Sequence, residues 1–369
     1  MFLNQTRRLA MAGTKLITKV ATTVLILAAF VFNFGLVGQV YAQTDTAAEP
    51  EREILNIRGD LYRFRQVRHA GVFLVTDEGI IVVDPTFPEL STWLKQQLDE
   101  RFGLPVKYVI YSHTHNDHAG GGDVFADTAT FVAHENARKN LQRPSDDAPL
   151  LPREQLWDVN NDGVIQESEA GGYIGVDRGE GAFALFDTDA NGSLSRAEIW
   201  AARFGGPTVR MPDIFYTDKA AITLGGKTVE LNYTGLNHSD DMTVVRFPAE
   251  KAIYTADFLT PNRLAWTVLD GGFLPDWVES LQQVEQLEFD IIVPAHEAPG
   301  TKAHVSEQTR YLEELYAAVS EGIAAGKTEQ ELVDSILMEE YSHVMEYERS
   351  RAGNVSGAYE ILMSTPGEH

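Results

Sequence analysis

The chain has 369 residues, of which 44% are hydrophobic, enough for a sizeable core in one large domain or two ordinary ones. Its formal net charge of −24 makes nucleic acid and anionic membrane surfaces poor partners and favours soluble partners and bound cations. There is no cysteine, so disulfides and thiolate metal sites are excluded, and any metal must be held by histidine and carboxylate side chains.

The N-terminal segment has the composition of an export signal. Basic residues without acidic ones precede an apolar stretch over residues 20–40, and Val40-Tyr41-Ala42 is typical of a cleavage site. We therefore expect a signal peptide over residues 1–42 and a periplasmic or extracellular protein without stable membrane insertion after cleavage. An uncleaved anchor is the alternative, because the apolar run is nearly long enough to span a bilayer.

Strand and helix signals alternate along the rest of the chain, which indicates an α/β protein. A hairpin is predicted where residues 72–76 and 80–83 flank Asp77-Glu78-Gly79, and a helix follows with Leu90, Leu94 and Leu98 on one face. Further strands are predicted over residues 106–111, 130–133, 221–224, 228–233, 242–247, 251–256 and 289–294. Helices are predicted around residues 278–287, around residues 312–323, and after a capping box of Thr328 and Glu331.

A cluster of potential metal ligands directly follows the predicted strand over residues 106–111. His113, His115, Asp117 and His118 lie within six positions, which suits a tight loop whose side chains converge on adjacent metals. Imidazole and carboxylate groups suit zinc, iron and manganese. Three later candidates lie at or just after the ends of further strands, where sites in α/β proteins collect. They are His238, Asp257 and His296.

The ordered pattern His113-x-His115-x-Asp117-His118 with His238, Asp257 and His296 resembles the metallo-β-lactamase fold superfamily over roughly residues 55–145 and 205–300. The resemblance implies an αββα sandwich with two metal ions, zinc or else iron or manganese, at one edge. It implies that His113, His115 and His238 hold one metal, that Asp117, His118 and His296 hold the second, and that Asp257 bridges them. Asp84 matches a further aspartate of the fold that supports the ligands.

These features favour an enzyme, because all seven ligand positions of the resemblance are filled. A binuclear site implies attack of a metal-bound hydroxide on the carbonyl of a small-molecule ester, thioester, lactone or lactam. Asp117 and Asp257 are the candidate catalytic residues. Aspartate at position 257 is more typical of glyoxalase II and lactonases than of true β-lactamases. A true β-lactamase and a non-catalytic calcium-binding or sensor protein on a hydrolase scaffold remain as alternatives. An iron-using oxidoreductase ranks lower, because no flavin domain accompanies the site.

Two acidic segments, residues 158–169 and 187–198, repeat one motif. Each has oxygen-bearing residues at positions 1, 3 and 5, glycine at 6, an apolar residue at 8 and glutamate at 12, as in the EF-hand calcium loop. We expect up to two calcium ions. The candidate ligands are Asp158, Asn160, Asp162, Val164 and Glu169 in the first loop, and Asp187, Asp189, Asn191, Ser193 and Glu198 in the second. Val164 and Ser193 would contribute main-chain oxygens.

The predicted organisation places this EF-hand pair inside the catalytic domain. The segments are a signal peptide (1–42), a first catalytic half (50–145), the inserted EF-hand pair (146–204), a second catalytic half (205–300) and a C-terminal helical segment (301–369). For the other histidines we expect ordinary structural roles, with His134 the strongest candidate for a place near the site. Nothing in the sequence specifies an oligomeric state.

Overall fold

The computed structural model describes residues 50–152, 154–170, 183–205, 209–266, 269 and 274–363. The predicted signal peptide over residues 1–42 lies outside these residues. Within the described part of the chain, every helix is too short or too polar to cross a bilayer.

Two large mixed sheets form the centre of the fold. The first sheet has the order β1-β2-β3-β4-β5-β6-β9. Its strands are β1 (Arg52–Arg58), β2 (Leu61–Gln66), β3 (His69–Thr76), β4 (Gly79–Val83), β5 (Val106–Ile110), β6 (Thr130–His134) and β9 (Ile214–Tyr216). The second sheet has the order β10-β11-β12-β13-β14-β15. Its strands are β10 (Lys219–Leu224), β11 (Lys227–Tyr233), β12 (Thr243–Phe247), β13 (Ala252–Ala256), β14 (Ile291–Pro294) and β15 (Gly300–Thr301).

Helices connect and cover the sheets. In chain order the α-helices are α1 (Pro88–Phe102), α2 (Asn116–Ala119), α3 (Ala137–Asn140), α4 (Phe183–Phe186), α5 (Arg196–Phe204), α6 (Leu274–Glu285), α7 (Ala303–Ala324), α8 (Glu329–Ser335) and α9 (Tyr347–Met363). Short 3₁₀ turns occur at Gly122–Phe125, Glu154–Leu156 and Glu339–Tyr341. The predicted capping box is confirmed: Thr328 and Glu331 exchange their side-chain and main-chain hydrogen bonds at the start of α8.

Alternation along the strands produces the layers. In β3, Val72 and Leu74 pack into a core shared with the second sheet, whereas Phe73 points to the opposite face and packs with Leu90 and Leu94 of α1. This happens because successive side chains of a strand point to opposite faces of its sheet. Helices α6 and α7 cover the second sheet within the same large core. The layers are therefore helix, sheet, sheet and helix, a mixed α/β fold of the predicted kind.

The predicted hairpin is confirmed, with β3 and β4 antiparallel and Thr76 opposite Gly79. The first two strands of this sheet were not predicted: β1 begins at Arg52 and pairs with β2 in an antiparallel arrangement. Strand β1 is an edge strand with partly exposed residues, so its sequence lacks the apolar run that marks a central strand. The C-terminal helix α9 was also not predicted in detail.

The segment between β6 and β9 contains both acidic loops. Strands β6 and β9 are parallel neighbours, with Val132 opposite Ile214, so the segment leaves and re-enters the same edge of the first sheet. It has a small core of its own that includes Trp157, Ile165 and Leu194. Strands β7 (Ile165–Gln166) and β8 (Ser193–Leu194) join the two loops as a short antiparallel pair. The domain boundaries at residues 146 and 204 stay a prediction.

Gly71 allows β3 to pass close to the end of β4. A Cβ atom at this position would clash with the main-chain oxygens of Val83, at 2.6 Å, and Asp84. We predict that Gly71→Ala lowers the free energy of unfolding by about 1–3 kcal/mol. The added methyl group would overlap main-chain atoms of the paired strand, which can move away only if the strand pairing is disturbed. Denaturant unfolding measures the change, with Lys219→Ala at the exposed start of β10 as control. Equal stability of Gly71→Ala and wild type would contradict the close approach.

Candidate metal centre

Side chains from both sheets meet at one edge of the fold. Strands β4 and β5 are parallel in the first sheet, as are β13 and β14 in the second, so their carboxyl ends lie together. Residues 112–115 leave β5 in a tight turn that enters the short helix α2. Asp257 directly follows β13, and His296 lies two residues after β14. His238 lies in the loop after β11.

The candidate ligands form two groups, and within each group the potential ligand atoms lie within 4.8 Å of one another. The first group consists of His113, His115 and His238. The second group consists of Asp117, His118, Asp257 and His296. All seven residues selected from the sequence are thus brought together, in the two sets that the resemblance implies.

Asp257 lies between the two groups. Its Oδ2 atom is 3.2 Å from His118 Nε2 and 3.6 Å from His238 Nε2, and its Oδ1 atom is 3.0 Å from His296 Nε2. The Oδ2 atom thus faces a histidine of each group, and a carboxylate in this position would contribute to holding a metal in either group. This is the geometry needed to hold two cations side by side.

Asp84 is fully buried and orients two of the histidines. The Ser112 hydroxyl donates to Asp84 Oδ2 at 2.6 Å, so the Ser112 oxygen is left to accept the Nδ1–H of His113 at 3.0 Å. His118 donates its own Nδ1–H to the same Asp84 oxygen at 2.9 Å. The neutral His113 ring therefore keeps its lone pair on Nε2, and a neutral His118 ring would do the same. These are the tautomers that bind a metal through Nε2.

The donor set fits a divalent metal such as zinc. Among the residues that the structure describes, none gives His113 Nε2 a hydrogen-bond partner, and a buried polar atom in that position is costly unless a ligand satisfies it. His296 donates its Nδ1–H to the main-chain oxygen of Arg68 at 2.7 Å, so its Nε2 atom faces Asp257 Oδ1 at 3.0 Å. Burial lowers the pKa of His296, but the Asp257 carboxylate outweighs burial and raises it, so a proton on Nε2 joins the two atoms, and a metal would take the place of that proton. Imidazole and carboxylate groups are the ligands that zinc takes in proteins without cysteine.

The ionisation states in the second group depend on one another. Burial lowers the pKa of His118, but the carboxylates of Asp257 and Asp117 outweigh burial and raise it well above its ordinary value. Burial raises the pKa of Asp257, but His296 and His118 outweigh it and hold that pKa well below its usual range. Burial and neighbouring histidines lower the pKa of His113 well below its ordinary value. The centre therefore offers an anionic carboxylate and a neutral imidazole to an incoming cation.

A family model described as the metallo-beta-lactamase superfamily matches residues 67–296. The chain belongs to the metallo-β-lactamase superfamily. The matched region contains all seven candidate ligands, from His113 to His296. The protein is accordingly an enzyme of the metallohydrolase class found in this superfamily.

The chain is similar at low identity to two curated relatives and one solved structure. The chain is 22% identical over 253 residues to the 2,4-dinitroanisole O-demethylase subunit alpha of Nocardioides sp. (strain JS1661), covering 67% of this chain and 58% of that protein. It is 23% identical over 270 residues to the linear primary-alkylsulfatase of Pseudomonas sp. (strain ATCC 19151), covering 70% of this chain and 48% of that protein. The chain thus spans about half the length of these relatives. A metallo-beta-lactamase from Pontibacter korlensis matches with 17% identity and a TM-score of 0.48, covering 71% of this chain and 99% of that chain.

His69 is a site residue of this superfamily member that the sequence analysis missed. Its Nε2 atom is 3.6 Å from Asp117 Oδ2, and its ring packs edge-on against His296 and Phe87, with ring centres 5.0 Å and 4.8 Å away. Burial lowers the pKa of His69 to about 4, so the ring is neutral near pH 7. His69 begins β3 outside any motif, and only the pairing of the sheets brings it to the metal centre.

His134, which was the preferred candidate for a further site residue, has a structural role. Its ring stacks on Tyr233 with ring centres 3.9 Å apart, and its Nε2–H donates to the main-chain oxygen of Thr217 at 2.7 Å. These contacts fasten the end of β6 to the second sheet. The expectation that His134 was the best candidate beyond the seven ligands was therefore wrong.

We predict that Asp84→Asn weakens zinc binding roughly tenfold to a hundredfold, the usual cost of losing a residue that orients metal ligands. Asparagine has one acceptor oxygen where Asp84 uses both, so the tautomers of His113 and His118 are no longer fixed. Competition with a chromophoric chelator measures the affinity. Tyr254→Phe, which removes one donor to Asp84 and keeps the carboxylate, is the control and should bind zinc nearly as well as wild type. Wild-type affinity in Asp84→Asn would refute the orienting role.

Proposed function

We propose that the protein is an exported, binuclear metal-dependent hydrolase that attacks the carbonyl group of an ester, thioester, lactone or lactam. The observation that carries the proposal is the Asp257 carboxylate, whose Oδ2 atom faces both His118 of the second ligand group and His238 of the first. A carboxylate shared by the two ligand groups would help to hold two metals, most simply zinc. Such a pair would supply a strong nucleophile from water at neutral pH and polarise the substrate carbonyl.

The protein's own residues would hold and orient the reactants. Asp117 Oδ2 lies 3.5 Å from His118 Nε2 and 3.8 Å from His296 Nε2, and its side chain is about one-third exposed at 32%. It can therefore bind the second metal and accept a hydrogen bond from an attacking water on the open side. His69, beside Asp117, can donate a hydrogen bond to a substrate oxygen on the same side. Phe87, which packs on His69, limits the freedom of that ring.

Hydrolysis of a sulfate ester is the second candidate, because one relative is named a linear primary-alkylsulfatase. The metal groups would serve this reaction as well, since a sulfate ester also develops negative charge on oxygen during cleavage. A panel of ester, thioester, lactone, lactam and alkyl sulfate substrates separates the two classes. If the protein binds metal and cleaves only the alkyl sulfate, the proposed carbonyl substrate is wrong and the sulfate ester takes its place.

We predict that the purified full chain carries about two transition-metal ions and that Asp257→Ala lowers hydrolysis more than about a hundredfold while the protein stays folded. Removal of the carboxylate leaves two cations facing each other without the shared anion. Elemental analysis, circular dichroism and the substrate panel measure the three quantities. Asp127→Ala, at an exposed aspartate paired with Lys95, is the control. Full metal content with near-native turnover in Asp257→Ala would defeat the bridging assignment.

We also propose that residues 158–169 and 187–198 bind calcium as a pair of EF-hand loops. Three features of the first loop support this. Asp158 accepts main-chain hydrogen bonds from Asp162 at 3.0 Å and Gly163 at 2.8 Å, Gly163 has a φ of +88°, and Glu169 folds back to accept from Asn160 at 3.2 Å. The loop thus folds back on itself, with glycine at its sharp turn.

The second loop repeats the geometry of the first. Asp187 accepts from Asn191 at 3.0 Å and from Gly192 at 2.9 Å, and Gly192 has a φ of +85°. Carboxylate oxygens of Asp187, Asp189 and Glu198 lie within 4.8 Å of one another. The loops are joined where Ile165 pairs with Leu194, the eighth position of each loop. Hard oxygen ligands favour calcium here, whereas the imidazoles of the catalytic centre favour a transition metal.

We predict that millimolar calcium raises the melting temperature of the wild-type chain. A ligand that binds only the folded state stabilises it by about 2.7 kcal/mol at a hundredfold excess over its Kd. The calcium-induced shift should vanish in a Glu169→Gln, Glu198→Gln double variant, which loses the twelfth position of both loops. Glu167→Gln, an exposed residue at position 10 of the first loop, removes a charge without removing a ligand and should keep the shift. An equal shift in the double variant would show that calcium binds elsewhere.

A further inference from the structure

The last helix of the inserted segment touches the metal centre. Helix α5 begins after Ser195 and ends at Phe204, and its last turn lies against the residues that follow β5. The guanidinium Nε atom of Arg203 donates to His115 Nε2 at 2.9 Å. The Phe204 ring lies 5.8 Å from the His115 ring, and Trp200 Nε1 donates to the main-chain oxygen of Asn140 at 2.7 Å. The helix is therefore held in place along its length.

The direction of the Arg203 hydrogen bond fixes the tautomer of His115. Arginine carries only donors, so His115 Nε2 must present its lone pair, and the single proton of the neutral ring must lie on Nδ1. His115 Nδ1 is the nitrogen that faces the first ligand group, because it lies 3.2 Å from His238 Nε2. The hydrogen bonds thus form a chain in which Arg203 donates to His115 and His115 donates to His238. In this series of hydrogen bonds the lone pair of His238 Nε2 accepts the proton of His115 and is therefore occupied as well.

His115 differs in this respect from His113 of the same ligand group. His113 donates its Nδ1–H away from the centre, to Ser112, and so leaves Nε2 with a lone pair for a metal. At His115 the nitrogen that faces the centre carries the proton instead. A metal cannot bind a protonated imidazole nitrogen.

We propose that Arg203 opposes metal binding in the first ligand group by holding His115 in the tautomer whose inward nitrogen is protonated. This inference rests on the proposed metal centre. A metal on Nδ1 requires the ring proton to lie on Nε2, where it would meet the N–H of Arg203, so the Arg203 contact must open. The ring keeps one proton throughout. Arg203 is thus a positioning residue through which the inserted segment sets the metal affinity of the first group.

Two measurements on the full chain, first stripped of metal with a chelator, test this role. Histidine labelled with ¹⁵N reports which ring nitrogen of His115 is protonated, with the resonance assigned from its loss in His115→Gln. Chelator competition with zinc alone gives the affinity. The variant is Arg203→Ala. The control is Arg196→Ala, which removes the same charge from the same helix at a residue that pairs with Glu154.

The wild-type chain should show His115 protonated at Nδ1, and Arg203→Ala should lose this preference. Zinc binding in Arg203→Ala should be at least about tenfold tighter than in wild type, since a hydrogen bond from a charged donor no longer has to break. Arg196→Ala should match wild type in both measurements. Unchanged or weaker zinc binding in Arg203→Ala, equal tightening in both variants, or an Nε2 proton in wild-type His115 would each overturn the proposal. A wild-type chain that binds no zinc would instead refute the metal centre, and the tautomer would still decide the role of Arg203.

Discussion

One buried carboxylate, that of Asp84, connects the fold to the metal centre. It follows β4 in the first sheet, accepts the hydroxyl of Tyr254 from β13 in the second sheet at 2.9 Å, and also accepts from Ser112 and His118. A fully buried carboxylate is costly unless donors satisfy it, and here donors from both sheets do so. The same hydrogen bonds that hold the sheets together therefore decide which histidine nitrogen faces the metals. A change in the packing of the two sheets at Asp84 would therefore also change the orientation of the metal ligands.

The sequence predicts the metal centre well because ligand chemistry is local. The run from His113 to His118 follows a strand, and Asp257 and His296 also follow strands, so residue type and strand ends alone bring the candidates to one edge. The role of His69 could not be predicted, because it depends on how β3 lies beside the end of the second sheet. Strand β1 was missed for a related reason, since an edge strand has no fully buried face to mark it.

The inserted segment shows where such reasoning stops. Its loop motif is evident from the spacing of oxygen-bearing residues, and in both loops the main-chain N–H groups at positions 5 and 6 donate to the aspartate at position 1. The contact between Arg203 and His115 depends on the angle at which α5 packs, and no spacing rule encodes that angle. It nevertheless reverses the tautomer of His115 relative to that of His113, a ligand of the same group. A sequence that contains every metal ligand can therefore still hold one histidine in a tautomer that binds metal and another in a tautomer that does not.

The parallel pairing of β6 with β9 has a consequence for the order of folding. Strand β9 can join the sheet only after the chain between residues 134 and 214 has closed into a loop, and His238 lies farther along still. Closing a long flexible loop is entropically unfavourable, and contacts distant in sequence form slowly. The inserted segment has its own small core, so it can order first and bring its two ends near each other. A segment that reads as an addition to the catalytic domain would then act as an internal template for completing the first sheet.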